Sequence, residues 1–241
     1  MDIKNLQKKW NSLGKNDLLW AILTIPAKKG NRWSKEEFFE TGVKEINAVL
    51  DYVRSLGVAL SWGKALDFGC GVGRLSQALS CHFSEVKGVD ISTAMIDLAR
   101  QYNEFTDQCK YFVNDTEDLS QLPDNYFDFI YSNITLQHIY PSYSRNYIQE
   151  FIRVLAPEGI LVFQLPERRN DKFRSFIRRM APEILIELYS RLSYSGKMEM
   201  YGMDRAEIKT LLINKEAEII DVKQEQDAGK EWLSFRYCVT K

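Results

Sequence analysis

The sequence predicts a doubly wound α/β fold with a mostly parallel sheet, and three observations carry the prediction. From Lys64 onward, short apolar runs alternate with stretches of helical periodicity, the pattern left by βαβ units. The first run ends in an acid and a glycine-rich turn before a helix opens: Ala65-Leu66-Asp67-Phe68-Gly69-Cys70-Gly71-Val72-Gly73-Arg74-Leu75. The second, Val86-Lys87-Gly88-Val89-Asp90-Ile91-Ser92, also ends in an acid, placed where ligands bind in such sheets.

Residues 1–60 read as a helical cap. Within it Ser34 and Glu37 make a capping box, and Phe39, Val43, Ile46, Leu50 and Val53 recur at helical steps until Gly57 closes the helix. One apolar face is therefore expected to dock on the chain that follows. Residues 61–166 form the expected core, with strands at Ala65 to Phe68, Val86 to Val89, Tyr111 to Val113, Phe127 to Tyr131 and Ile160 to Leu165. Residues 167–203 break that pattern. A basic amphipathic stretch, Arg168 to Arg179, and its apolar continuation, Ile184 to Tyr189, read there as a helical insertion forming a lid. In 204–241, Asp204 can cap a helix through Leu212, and two strands, about Ala217 to Val222 and Trp232 to Val239, flank a turn at Asp227 to Lys230.

Composition narrows the class. At 241 residues, 45% hydrophobic and 27% charged, the chain can bury a full core without a disulfide or metal staple. A net charge of −1 exerts no global pull toward nucleic acid or anionic membrane. The four cysteines, Cys70, Cys81, Cys109 and Cys238, show no CxxC spacing, which suits a reducing compartment and argues against structural zinc. No metal site is expected. Met1 to Trp20 lacks the apolar core of a signal peptide, and no run reaches the roughly 18 apolar residues of a membrane span, so the expected location is the cytoplasm.

The glycines of the first turn let the backbone bend sharply and let a ligand approach main-chain atoms. Nicotinamide and flavin enzymes use a related turn, but a GxGxxG reading from Gly69 and Gly71 needs Gly or Ala where Arg74 stands. Asp90 can accept both ribose hydroxyls of a nucleoside. It could instead cap the next helix, a role Ser92 already suits. The third strand runs into an acidic loop, Asn114-Asp115-Thr116-Glu117-Asp118, which can bind an adenine amino group or be plain solvated surface. The fourth strand reads Asp128-Phe129-Ile130-Tyr131-Ser132-Asn133. A helix from about Ser144 follows, ending in Leu155-Ala156-Pro157-Glu158-Gly159.

Taken in order, these motifs resemble those of the class I S-adenosylmethionine-dependent methyltransferases, closely over 64–166 and more loosely over 204–241. The resemblance implies a Rossmann-like sheet of seven strands whose last strand is antiparallel. It places Asp67, Gly69, Cys70, Gly71 and Gly73 around the methionine part of S-adenosylmethionine, Asp90 on the ribose and Ile91 against the adenine. Asp115 and Thr116 would meet the adenine edge, and Asn133 would line the floor beneath the sulfonium. The leader around Leu19 to Leu23 and Lys28 to Trp33 resembles a segment that closes over the cofactor in some members, so Arg32 and Trp33 join the candidate contacts. Packing of Trp33 on the sheet is the alternative.

The implied activity is methyl transfer to a small-molecule O- or N-nucleophile. The 167–203 insertion would serve as the acceptor lid, and 168–189 offers a basic surface for an anionic acceptor, a partner or peripheral membrane contact. Of the two histidines, His138 lies beyond a strand end on the ligand side, making it the candidate base, with a packing histidine as the alternative. Two other functions compete: an NAD-dependent oxidoreductase, and a relative that binds the cofactor without turnover. No motif marks the acceptor, a nucleic-acid surface or an oligomeric state.

Overall fold

The computed structural model describes residues 3–13, 17–170 and 199–241. Three helices lead, α1 (Ile3–Leu13), α2 (Leu18–Ile22) and α3 (Lys35–Ser55), with a 3₁₀ turn at Pro26–Lys28. The core follows as β1 (Lys64–Phe68), α4 (Arg74–Ser80), β2 (Glu85–Asp90), α5 (Thr93–Tyr102), β3 (Cys109–Val113) and β4 (Phe127–Ser132). A 3₁₀ turn at Leu136–His138, α6 (Pro141–Val154), β5 (Leu155–Arg169), α7 (Arg205–Ile213), β6 (Glu218–Glu225) and β7 (Trp232–Thr240) complete it.

The sheet has seven strands in the order β3-β2-β1-β4-β5-β7-β6. All pairings from β3 to β5 are parallel, and β7 runs antiparallel to both β5 and β6. Strand order reverses between β1 and β4, so the carboxyl ends of those two strands make the crevice in which doubly wound sheets bind ligands. Both sheet faces are covered, as a parallel sheet requires. On one face α6 and α7 supply Phe151, Ile148, Ile208 and Leu212, and on the other α3, α4 and α5 supply Ile46, Leu50, Leu79 and Ile96.

Local chemistry sets the helix starts. The Ser34 hydroxyl accepts from Glu37 N at 3.1 Å while the Glu37 carboxylate accepts from Ser34 N, the expected capping box. The Glu37 carboxylate also takes a hydrogen bond from Lys28 Nζ at 2.6 Å, which together with the cap holds its pKa below the ordinary value. Ser92 caps α5 through Met95 N, and Asp204 caps α7 through Ala206 N at 2.7 Å.

Three features depart from the sequence expectations. The buried face of α3 is Phe38, Gly42, Ile46, Val49, Leu50 and Val53, while Val43 is 41% exposed. Strand β5 continues past Leu165 to Arg169, where Arg168 and Arg169 pair with Leu233 and Trp232 of β7. Those two arginines therefore extend the sheet and do not begin a helical insertion. Most of that expected insertion, 171–198, including Arg174, Arg178 and Arg179, lies outside the described residues. The helix expected from about Ser144 starts at Pro141, whose missing N–H suits the first helical position.

Gly42 lets α3 lie directly on α4. A Cβ there would overlap the carbonyl oxygen of Arg74, a backbone atom that cannot swing aside. Gly42→Ala should therefore destabilise the protein by about 1–3 kcal/mol through overpacking. The roughly 1 kcal/mol that alanine otherwise gains in a helix offsets part of this, leaving a net loss of up to about 2 kcal/mol. Urea denaturation checks the sign, and a stabilised variant would contradict the close contact.

Candidate active site

The glycine turn leaves β1 at the crevice. Gly69 N and Cys70 N both donate to Val89 O, at 2.7 and 3.1 Å, which pins the turn to the end of β2. Gly69, Gly71 and Gly73 all have positive φ, at 79°, 52° and 84°. A Cβ on Gly69 would overlap the Thr135 side chain beyond β4, so the two strand ends meet with no room to spare. At Gly71 the nearest neighbour of a Cβ would be Ile22 Cδ1 of α2, 3.1 Å away, so the leader lies over the turn.

Asp67 is fully buried. Its Oδ2 accepts from the Ser76 hydroxyl at 2.6 Å, and its Oδ1 has no partner. Burial pushes this carboxyl up to about 7, against the opposing pull of Ser76 and Arg74. Asp90 holds the turn from the other side: Oδ2 accepts from Gly71 N at 2.9 Å and Oδ1 from Ser92 N at 2.8 Å. Burial pushes its carboxyl up, while these backbone N–H groups favour the charged form. Cys70 is buried beside both acids, and burial raises its thiol well above the usual range.

The leader closes over the β2–α5 loop. Gln7 Nε2 donates to Ile91 O at 3.1 Å, and Asn11 Oδ1 accepts from the Ser92 hydroxyl at 2.7 Å. Leu18, Leu19, Ile22, Leu23 and Trp33 pack with Phe38, Val72 and Met95. Trp33 sets its ring edge against Phe38, with centroids 5.7 Å apart, and donates Nε1–H to Leu23 O at 3.4 Å. It is thus engaged in packing the leader. Arg32 is exposed in the preceding loop.

In the third-strand loop Asp115 is exposed. The Thr116 hydroxyl lies 3.1 Å from Asn114 Oδ1 and 3.2 Å from Asp118 Oδ1, so it serves the local turn, and its carbonyl accepts from Tyr147 OH. At the end of β4 the Asn133 amide is held by two carboxylates. Its Nδ2 donates to Glu45 Oε1 at 2.8 Å and to Asp227 Oδ2 at 3.2 Å, and its buried Oδ1 has no partner. Glu45 also accepts from Tyr131 OH at 3.0 Å and pairs with Arg74 at 2.8 Å, and Asp227 lies 3.5 Å from Arg236 Nη2. Of this cluster, sequence reasoning found only Asn133. An acid in the middle of an amphipathic helix carries no signal for a partner far along the chain.

His138 is 9% exposed in the 3₁₀ turn beyond β4. Its Nδ1 lies 3.0 Å from Glu199 O, which fixes that nitrogen as the donor, and its Nε2 then accepts from the Gln137 amide at 3.1 Å. Trp10 sets a ring edge against it, 5.7 Å between centroids. Burial pushes its pKa down to about 4, so the imidazole is neutral at pH 7. Among the described residues no group of three or more His, Cys, Asp or Glu side chains could hold a metal ion.

Comparison with known proteins points one way. Residues 66–163 match the model of a methyltransferase domain. The ubiquinone biosynthesis O-methyltransferase of Xanthomonas campestris pv. campestris (strain B100) is 29% identical over 161 residues, 64% of this chain and 66% of that protein. The trans-aconitate 2-methyltransferase of Variovorax paradoxus (strain S110) is 31% identical over 122 residues. The chain thus spans 66% and 45% of the lengths of these two relatives. In fold it is similar to magnesium protoporphyrin IX methyltransferase from Synechocystis PCC 6803 with bound SAH. The TM-score is 0.66, with 18% identity and full coverage of both chains. S-Adenosylmethionine is the cofactor of this family, and the residues here fit it: a buried acid with a free oxygen, a glycine cradle, and an acid at the end of β2. Residues 66–163 thus carry a methyltransferase domain, and that match, the strand order and these relatives together support a class I S-adenosylmethionine-dependent methyltransferase.

Proposed function

We infer that the chain transfers the methyl group of S-adenosylmethionine to a small-molecule O- or N-nucleophile in the cytoplasm. The observation that carries this reading is the pairing of Asp67 and Asp90 across one glycine turn at the β1/β4 crevice, with Asp67 Oδ1 left without a partner. The bound cofactor supplies a methyl group already activated on a sulfonium. Asp67, Gly69, Cys70, Gly71 and Gly73 would hold its methionine part, Asp90 and Ile91 its ribose and adenine, and Asp115 and Thr116 the adenine edge. Asn133 would stand beside the reacting centre. The leader, with Ile22 over Gly71 and Trp33 in its packing, would exclude water.

The names of the relatives, in ubiquinone biosynthesis and on trans-aconitate, support a small acceptor. An oxidoreductase reading is not favoured, because Arg74 is buried against Glu45 where a nicotinamide turn needs a small residue. Among the described residues no helix is long and apolar enough to cross a membrane. His138 enters this reading as a positioning residue, since its free lone pair is already taken by Gln137.

Calorimetry with S-adenosylhomocysteine (SAH), followed by transfer from labelled cofactor, tests the reading and separates binding from turnover. Asp67 supplies a sharper signature. Its folded pKa of about 7 lies above the ordinary 3.8, so in the free protein its favourable contribution is present at low pH and lost as pH rises through about 7. A cofactor ammonium on Asp67 needs the ionised carboxylate. SAH affinity should therefore strengthen as pH rises from 6 to 8, with proton release on binding at pH 6. Asp67→Asn should flatten that dependence, and a wild type with no pH dependence would remove Asp67 from the cofactor site.

A further inference from the structure

Asn133, Glu45, Asp227, Arg74 and Arg236 form one polar cluster where β4, α3 and the β6–β7 turn meet, at the carboxyl end of the parallel strands. Within it three polar atoms are buried without a hydrogen-bond partner: Asn133 Oδ1, Arg74 Nε and Arg236 Nε. The Arg74 residue is only 5% exposed, so water does not reach it freely. Buried polar groups are ordinarily paired, so orphans on residues joined through two shared carboxylates call for a partner from outside the chain, whether water or a ligand.

The orphans differ in kind. Asn133 Oδ1 can only accept, and the two Nε–H groups can only donate. The Asn133 amide is not free to turn over, because both of its N–H bonds are held by carboxylates, Glu45 Oε1 at 2.8 Å and Asp227 Oδ2 at 3.2 Å. Reversing it would set its carbonyl oxygen against two anions. The acceptor oxygen is therefore presented in one direction. Each arginine reaches Asn133 through a shared carboxylate, Arg74 through Glu45 and Arg236 through Asp227.

A neutral hydroxyl suits these surroundings, since it can donate to Asn133 Oδ1 while its oxygen stays free to accept from a donor, and it brings no charge to a cluster of paired ions. A carboxylate offers no proton to Asn133 and meets Glu45, Asp227 and Glu225 against only two arginines. An ammonium cannot accept from either arginine. We propose that Asn133, oriented by Glu45 and Asp227, reads the methyl acceptor by a neutral hydroxyl group and discriminates against carboxylate acceptors. This rests on the methyltransferase reading above. Asn133 is then the contact residue, and Asp227 is a positioning residue.

The test compares 4-methylcatechol, a neutral dihydroxy probe, with trans-aconitate, a probe bearing only carboxylates, using labelled S-adenosylmethionine and the full chain. Transfer to 4-methylcatechol at a kcat/KM at least tenfold above that for trans-aconitate is expected. Asp227→Ala should raise KM for 4-methylcatechol about tenfold with a smaller change in kcat. Asp227→Asn, which can still accept from Asn133, should recover most of that loss. SAH binding by calorimetry should stay within about twofold in both variants. Preference for trans-aconitate, transfer to neither probe, or an unchanged KM in Asp227→Ala overturns the proposal, the last meaning that only an ordered water fills the place. If the wild type fails to bind SAH, the methyltransferase reading falls and this inference with it; SAH binding with any of the three adverse outcomes sinks the inference alone.

Discussion

Glu45→Ala should cost about 3 kcal/mol of folding stability, at the lower end of what removing one partner of a buried ion pair costs. The Glu45 side chain is 21% exposed and that of Arg74 only 6%, so the substitution strands a guanidinium that water cannot fully reach. It also takes the acceptor from the Tyr131 hydroxyl and from the Asn133 amide. For a chain of this size the melting temperature should fall by roughly 6–12 °C. Glu45→Gln keeps an oxygen for Tyr131 but not the charge, so it should fall between wild type and Glu45→Ala. The double variant Glu45→Ala/Arg74→Met should lose less than the two single losses added, because each single change leaves the other partner uncompensated. A loss below about 1 kcal/mol for Glu45→Ala, in urea titration at pH 7, would mean that the pair is solvated and holds nothing in place.

The parts of the fold legible in the sequence were those where backbone geometry dictates residue type. Parallel strands covered on both faces must be nearly continuous apolar runs, and β5 is buried at every position from Ile160 to Pro166. The glycine turn was legible because Gly69, Gly71 and Gly73 occupy left-handed backbone that other residues avoid. Helix starts at Ser34, Ser92 and Asp204 were written in the caps. The expected face of α3 holds at Ile46, Leu50 and Val53 and fails at Val43, because apolar residues lie on both sides of that helix. Phe38 docks beside Val72 and Met95, a contact made by the glycine turn and α5, and no periodicity within α3 could favour it over Val43. Arg168 and Arg169 looked like the start of an insertion because charge at a strand end resembles a loop, yet β7 supplies their backbone partners. The candidate site divided in the same way. Asp67 and Asp90 lie at strand ends that local sequence defines, whereas Glu45 and Asp227 reach Asn133 from distant helix and turn positions that only the folded chain brings together.

Acid should destabilise the protein through His138. Its ordinary pKa of 6.5 is pushed down to about 4 by burial, so between those values the unfolded chain binds a proton that the folded chain does not. Stability from this group is complete above about pH 6.5 and is lost as pH falls toward 4, where the loss approaches about 3 kcal/mol at 1.36 kcal/mol per pH unit. Protonation would place a second donor on Nε2 opposite the Gln137 amide, which already donates there, and a cation under the edge of Trp10. His138→Gln removes the titration while leaving an amide able to reach the same carbonyl, so the difference in urea midpoint between wild type and variant should shrink steadily from pH 7 to pH 4. A constant difference across that range would place the His138 pKa near its ordinary value and return it to candidacy as a base. The same neutrality bears on turnover: a positioning imidazole that is uncharged above pH 5 leaves no limb near pH 6.5 in the pH–rate profile, and His138→Ala should then lower kcat only a few fold, whereas a base would cost about a hundredfold.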